Sequence, residues 1–586
     1  MSCHSKVNDV LSPCREGRPL SYREQVTSLG DSWYLSSATS FPTSMLDAPP
    51  KRAYHHDNAR RLQLHNTMKT PTTRREFLAD VGRGTLVATV GTSLATELGL
   101  GSVSAAEAKE SLEFGAQESL VQLMQETPAM KLLPALAAKL KAGTELRSLV
   151  SAAALANART FGGEDYIGFH TMMALSPALH MSRELSGAQQ ALPVFKVLYR
   201  NTNRINERGG RANEVLHPVK PASLSEGQPA ADTMRDAVRK KNTALAEGTL
   251  AALAQRSPDD AFNSLLHAVQ ENQEVHRVVL PYRAWDLLDV VGREHAATLL
   301  RQSVRYCVRA ESGRRPAWDQ PAALLARMLE QHKLLDRTPG TKTAEDAWVD
   351  QLSQTIFKST QAQAAEAVAA ALAEGFAPAV IGEAISLAAN QLVLRDHGRT
   401  PREESVGKPV GSVHGDSIGV HACDSANAWR NMARVSNTRN TFACLILGAH
   451  QVAHDRIERG GDFLKWEALP VKWQLDQATS SDPSALLREA EEAIRGNLQS
   501  RASAIVHRYG QLGHAPRPVF DLLLRYAVSE DGALHAEKYY RTVSDEFAAT
   551  RAAFRWRQVV ALARVTASGF GRPAPGVAEA KELLKA

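Results

Sequence analysis

The residues best equipped for chemistry in this 586-residue chain are histidines. Five fall in one stretch: His397, His414, His421, His450 and His454. His450 and His454 lie four apart in Gly448-Ala449-His450-Gln451-Val452-Ala453-His454-Asp455, within a segment whose apolar spacing predicts a helix over 438–458. On a helix that spacing puts both imidazoles on one face, one turn apart, where they could share a metal ion. The glutamate of the HExxH protease pattern is absent. Val413-His414-Gly415-Asp416-Ser417 reads as a loop leading into the helix of His421, and His414 and Asp416 are both competent ligands for Zn, Fe or Mn. Asp424 lies one turn past His421 and shares its face. Asp416, His421 and either His450 or His454 could therefore build a mixed imidazole–carboxylate site, as in non-haem iron proteins and zinc hydrolases. The alternatives are a buried polar network without metal and a haem held by imidazole, for which no specific pattern occurs.

Other catalytic patterns are thin. Gly415-Asp416-Ser417-Ile418-Gly419 spells G-x-S-x-G, but that motif works at a strand-to-helix turn and no strand is predicted before it. Cys423 is flanked by His421 and Asp424, yet residues two apart on a helix point away from each other. There is no phosphate-binding or dinucleotide-binding glycine pattern. The body holds Cys307, Cys423 and Cys444 with no CxxC, which leaves open a Cys423–Cys444 disulfide or three buried thiols.

The elements that must position these groups are helices. From about residue 110 apolar residues recur at helical spacing, and strand-type alternation is essentially absent. The reading is all-α. Long helices are expected over 259–288, 344–374 and 534–566, with Pro177 interrupting the helix that opens at Tyr166. Polar, Pro- and Gly-bearing stretches at 209–232 and 397–414 read as long loops. Two segments look related: Tyr166-Ile167-Gly168-Phe169-His170 with Met181 and Arg183, and Ser417-Ile418-Gly419-Val420-His421 with Met432 and Arg434, at a constant offset of 251. Further on, each is followed by a histidine opening a Tyr-containing helix, His276 with Tyr282 and His535 with Tyr539 and Tyr540. This suggests an internal duplication: a first helical half over 109–340 and a second over 341–586, packed about a central cleft in which His170, His421 and His276 or His535 meet.

The N-terminal region carries a different signal. After Met68, the run Thr73-Arg74-Arg75-Glu76-Phe77-Leu78 matches the twin-arginine export pattern through Arg74, Arg75, Phe77 and Leu78. A mildly apolar stretch, 84–100, and small-x-small sites near Ala105 and Ala108 follow. Residues 68–108 thus read as a twin-arginine signal peptide, recognised by the twin-arginine translocase, with a periplasmic or extracytoplasmic destination. Residues 1–67 read as disordered or as a mis-assigned start. No segment is apolar and long enough to suggest a stable transmembrane helix. Lys and Arg total 69 against 63 Asp and Glu, and beyond residue 105 the balance is 57 to 54. A body this close to neutral, with no basic run interleaved with aromatics, does not read as a nucleic-acid binder.

Gly168-Phe169-His170, the run from His276 to Trp285, Ile418-Gly419-Val420-His421-Ala422 and the His535 helix together resemble a family of exported bacterial helical proteins. Those proteins carry twin-arginine signals and a histidine opening each of several helices. The His-led helices also resemble those of questin-oxidase-like proteins, which are helical oxygenases. The resemblance implies an oxidoreductase. The expectation is an exported protein whose His-rich cleft binds a transition metal, Fe or Zn, or a small-molecule ligand. The competing expectation is a helical-repeat scaffold with structural histidines and no catalysis.

Overall fold

The structure, a computed structural model, describes residues 110–224, 227–314 and 319–586. The export motif at Arg74, Arg75, Phe77 and Leu78 lies outside the described residues. The described chain is all-α: it has many helices, no strand and three isolated bridges. No helix among the described residues is long and apolar enough to cross a membrane. The described residues from 110 onward belong to one compact unit.

Ten helices position the histidines and are labelled in chain order. The first five are α1 (Leu146–Phe161), α2 (Tyr166–Arg183), α3 (Leu192–Glu207), α4 (Val275–Val291) and α5 (Ala296–Ala310). The second five are α6 (Pro378–Arg395), α7 (Ile418–Val435), α8 (Thr438–Arg459), α9 (His535–Ala549) and α10 (Trp556–Gly569). Within each group the packing corresponds. α1, α2 and α3 pack on one another as α6, α7 and α8 do, and the pair α4–α5 sits on α1 and α2 much as α9–α10 sits on α6 and α7. Across the groups, α4 packs on α7 and α9 packs on α2. The four helices α2, α4, α7 and α9 therefore close a ring in the order α2–α4–α7–α9.

The glycine two residues before a histidine has the same task in α2 and α7. A Cβ on Gly168 would stand 2.5 Å from the Phe161 ring of α1, and one on Gly419 would stand 2.8 Å from the Val393 backbone nitrogen of α6. Only a residue without a side chain lets either helix start so close to its predecessor. The connection between them differs, being residues 162–165 in one case and 396–417 in the other.

Three expected long helices are divided. The 259–288 segment breaks between Val269 and Val275, where the Glu274 side chain caps a new helix by accepting from the His276 and Arg277 amides at 3.1 Å. The 344–374 segment breaks at Ser359-Thr360, where Thr360 forms a capping box with Gln363. The 534–566 segment breaks after Ala549. Pro177, by contrast, does not end its helix: α2 runs on to Arg183, because the one lost hydrogen bond lies on a helix buried over most of its length. Cys307, Cys423 and Cys444 are free and buried, so the Cys423–Cys444 disulfide does not form.

Candidate functional site

Four imidazoles meet where the first turns of α2, α4, α7 and α9 converge. His170 is the fifth residue of its helix, His276 the second, His421 the fourth and His535 the first. Local capping sets each start. The Asp165 carboxylate accepts from the Gly168 amide at 2.8 Å and is held by Arg204. Glu274 caps α4 as described, Ser417 Oγ accepts from the Val420 amide at 3.4 Å, and Leu534 enters α9 in the left-handed region at φ 69°.

The rings form a closed cycle. His170 and His276 have centroids 4.8 Å apart, His276 and His421 6.0 Å, His421 and His535 5.2 Å, and His535 and His170 5.2 Å. Two edges are close through Nε2: His276 to His170 at 3.2 Å and His421 to His535 at 3.1 Å. Three of the four outer nitrogens are already engaged. His170 Nδ1 donates to the Tyr166 carbonyl at 2.7 Å, His535 Nδ1 to the Ala533 carbonyl at 3.1 Å, and His276 Nδ1 to Glu274 Oε1 at 2.5 Å. A carbonyl or carboxylate only accepts, so Nδ1 carries the proton in these three rings and Nε2 presents a lone pair inward. His170 and His276 thus face each other lone pair to lone pair, an arrangement that needs a cation or an added proton between them.

The surroundings of His170, His421 and His535 favour the neutral ring. Burial, reinforced by the Lys538 ammonium, holds His170 and His535 well below the ordinary histidine range. Burial and the charges of His276 and Lys538 push His421 down to about 3. Helix starts add their positive end in the same direction. Glu274 supplies the nearby negative charge. Burial alone would raise its carboxyl, but His276, the Tyr306 hydroxyl at 2.6 Å and the helix amides hold it down at about 2. Phe169 stacks on His170 at 5.0 Å, and Tyr166, 61% exposed, lies 4.4 Å from the same ring and marks the solvent side of the cluster. Gly415 presses the 396–417 loop onto His535, where a Cβ would come within 2.5 Å of the His535 Cβ.

The remaining residues singled out by sequence lie elsewhere or have other work. Asp416 accepts from Arg399 at 2.8 Å and from Lys408, pairs that tie the 396–417 loop together. Burial opposes ionisation of Asp416, but Lys408 and Arg399 bring its carboxyl to about 2. His414 is buried with Nε2 unpartnered, and burial takes it to about 4. Asp424 is buried one turn below His421 and accepts from the Thr542 hydroxyl at 2.7 Å. His450 is buried with Nδ1 unpartnered, while His454 donates to Asp455 at 3.3 Å. The mixed set of Asp416, His421 and His450 or His454 does not assemble; Asp416 is taken up by two cations and His454 by Asp455. As the side chains stand, no three His, Cys, Asp or Glu groups among the described residues form a set that could hold a metal ion; the imidazoles come as two pairs.

Sequence reasoning missed Glu274, Tyr306 and Lys538. Glu274 was legible in principle, since an acidic residue two before a helix-opening histidine is a capping signal. Lys538 stands one turn after His535, a spacing that puts it on the same face. Of two cavities elsewhere, one of about 360 Å³ is lined by Arg235, Arg239, His267 and Arg439, and neither is lined by the four histidines. No protein-family model, characterised protein or solved structure matches the chain.

Proposed function

We propose that the four imidazoles of His170, His276, His421 and His535 form a ligand centre for a transition-metal ion, iron or zinc, in an exported protein that acts on a small molecule. The observation that carries this reading is the pair of inward Nε2 atoms on His170 and His276, 3.2 Å apart with both Nδ1 protons committed outward. Four nitrogens around zinc at ~2.0–2.1 Å stand about 3.3–3.4 Å from one another, close to the spacing within each pair. Binding would then draw the two pairs together by side-chain rotation. Burial disfavours protonation of His170, His421 and His535, which suits them as ligands, and the Glu274–His276 contact is the outer support that fixes a metal-bound ring. The likeness of the His-led helices to questin-oxidase-like proteins favours iron and oxidative chemistry. The twin-arginine pattern at Arg74-Arg75 supports export of the folded chain.

One observation favours a second, metal-free reading. The pairs are not yet one convergent set, and a proton shared between His276 and His170 beside ionised Glu274 would also separate the lone pairs. Elemental analysis of the purified protein, with melting temperature measured against added Zn, Fe(II), Mn and Cu, distinguishes the two. Bound metal at about one per chain, largely lost in His170→Ala and in His421→Ala, is expected. A metal-free protein whose melting temperature ignores all four ions sinks the metal centre and leaves the proton-sharing network.

A further inference from the structure

The imidazole ring continues inward as a polar layer. One turn past His421 stands Asp424, one turn past His535 stands Lys538, and two turns past His276 stands Arg283. A seven-residue step returns to the same helix face about 10.5 Å along the axis, so Arg283 lies on the stripe of α4 that bears His276. All three are buried: Asp424 and Lys538 are 3% exposed and Arg283 is 1% exposed. Buried charges are ordinarily paired and hydrogen-bonded. Arg283 has an ion-pair neighbour in Asp286 but is not hydrogen-bonded to it, for its Nε and Nη1 have no hydrogen-bond partner. The carboxylate beside it, Asp286, stands 3.7 Å from Nη1, beyond hydrogen-bond reach, and takes the Ser176 hydroxyl instead. The guanidinium also lies 4.9 Å from the centre of the Tyr282 ring, which orients it without satisfying a single N–H.

Charge argues the same way. An imidazole binds a metal in its neutral form, so such ligands bring no negative charge to a bound dication. Lys538, whose ammonium burial lowers to about 8 despite Asp424 and Glu537, adds positive charge beside them. Arg283 adds another, and Asp424, raised by burial, is the lone carboxylate of these three inward groups. An ionised acceptor with two oxygens would answer the free N–H groups and add negative charge beside Lys538, since a guanidinium meets a carboxylate in a bidentate fork.

We propose that Arg283, together with Lys538, anchors the carboxylate of a small organic acid whose other end reaches the imidazole ring. The assignment rests on reading that ring as a ligand centre and names the class of molecule it acts on. Arg283 is a binding residue here, and Lys538 supplements its charge.

Acetate and formate serve as probes, with acetamide and formamide as neutral controls of the same shape, at constant ionic strength. The measurement is the melting temperature of the full protein as purified, with its metal content determined alongside. The two acids should raise the melting temperature of the wild type and the amides should not. Arg283→Gln should lose the acetate response with metal content unchanged, and Arg283→Lys should keep part of it. Acids that leave the wild type unmoved, or that stabilise Arg283→Gln equally, overturn the proposal. Should Arg283→Gln fail to fold, acid against amide on the wild type and on Arg283→Lys decides. A crystal grown in acetate that shows only ordered water on Arg283 also overturns it. Metal without an acetate response refutes the anion site alone, whereas an Arg283-dependent acetate response in metal-free protein refutes the metal centre alone.

Discussion

The two imidazole pairs are built alike and charged differently. His170 and His276 open helices whose caps are carboxylates, Asp165 and Glu274, and Glu274 also accepts directly from His276. His421 and His535 open helices whose N-cap residues are Ser417 and Leu534, and Lys538 lies one turn inward. The carboxylate beside the second pair, Asp416, is already spoken for by Arg399 and Lys408. One scaffold motif thus yields a polarised ring. Its first half can hold a proton or cation against Glu274, and its second half stays neutral and leans on positive charge. The packing of the four helix starts fixes where the imidazoles stand, and the caps and the residues one turn inward decide what each can do.

The largest effect should come from what joins the halves. Lys196 of α3 lies 2.7 Å from Glu537 of α9, and it donates to the Ala527 and Glu530 carbonyls at 2.8 and 2.7 Å. Both side chains are buried. Lys196→Met should cost about 3–5 kcal/mol, because Glu537 is left as an uncompensated buried charge. Denaturant unfolding measures it, and a loss below ~1 kcal/mol would mean that Glu537 finds another partner and that the halves are joined elsewhere.

The corresponding glycines test how alike the halves are. Gly168→Ala pushes on the Phe161 ring, which can turn aside, whereas Gly419→Ala meets the backbone of Leu392 and Val393, which cannot. The expected costs are about 1–2 and about 2–3 kcal/mol. Gly419→Ala should also shift His421 and weaken whatever the ring binds. Equal costs would show that the second half relaxes as easily as the first.

Much of this was legible in the sequence, for stated physical reasons. The all-α class follows from apolar spacing, and the four histidines could be named because each follows a helix-start pattern. The helix breaks at Val269–Val275 and Ser359-Thr360 carry no Gly or Pro to mark them; the side-chain caps that make them, Glu274 and Thr360 with Gln363, are weaker signals than the continuous apolar spacing around them. The α8 histidines attracted a metal reading because one-turn spacing is visible in sequence, whereas the convergence of His170 with His276 spans 106 positions and depends on packing. Arg283 drew no notice because an arginine looks exposed until its helix is known to be buried.

The two carboxylates held near 2 refine the contrast in charge. Each has a folded pKa below its unfolded value, so its stabilisation is present above the ordinary carboxylate range and disappears as pH falls toward 2. Glu274→Gln should cost about 1–2 kcal/mol at neutral pH, a value discounted for partial exposure, and should converge with the wild type near pH 2. Asp416→Asn should cost less, about 1 kcal/mol, because water can take over solvation of Lys408 and Arg399. An Asp416 effect exceeding that of Glu274 would reverse the assignment of negative charge to the first half.

The smallest effects, and the sharpest in sign, belong to His450 and His454. They stand one turn apart on α8 in opposite electrostatic settings. Burial, then the charge of His454, lowers His450 to about 4, so the folded state takes up its proton later than the unfolded chain does. Its neutral form stabilises above the ordinary histidine range, and that benefit fades as pH falls from about 6.5 to 4. Burial opposes protonation of His454 as well, but the Asp455 carboxylate outweighs it and raises that ring. The stabilisation from His454 is present below its unfolded pKa and is lost as pH rises through the folded one. The His454 side chain is 43% exposed, so the pair is worth less than ~1 kcal/mol. His450→Ala should therefore hurt most at neutral pH and progressively less toward pH 4, while His454→Ala should hurt most in mild acid and not at all in mild base. Melting temperatures of both variants across that range test the signs. Parallel pH dependences would show that the two rings act as one unit, as a metal shared between them would require.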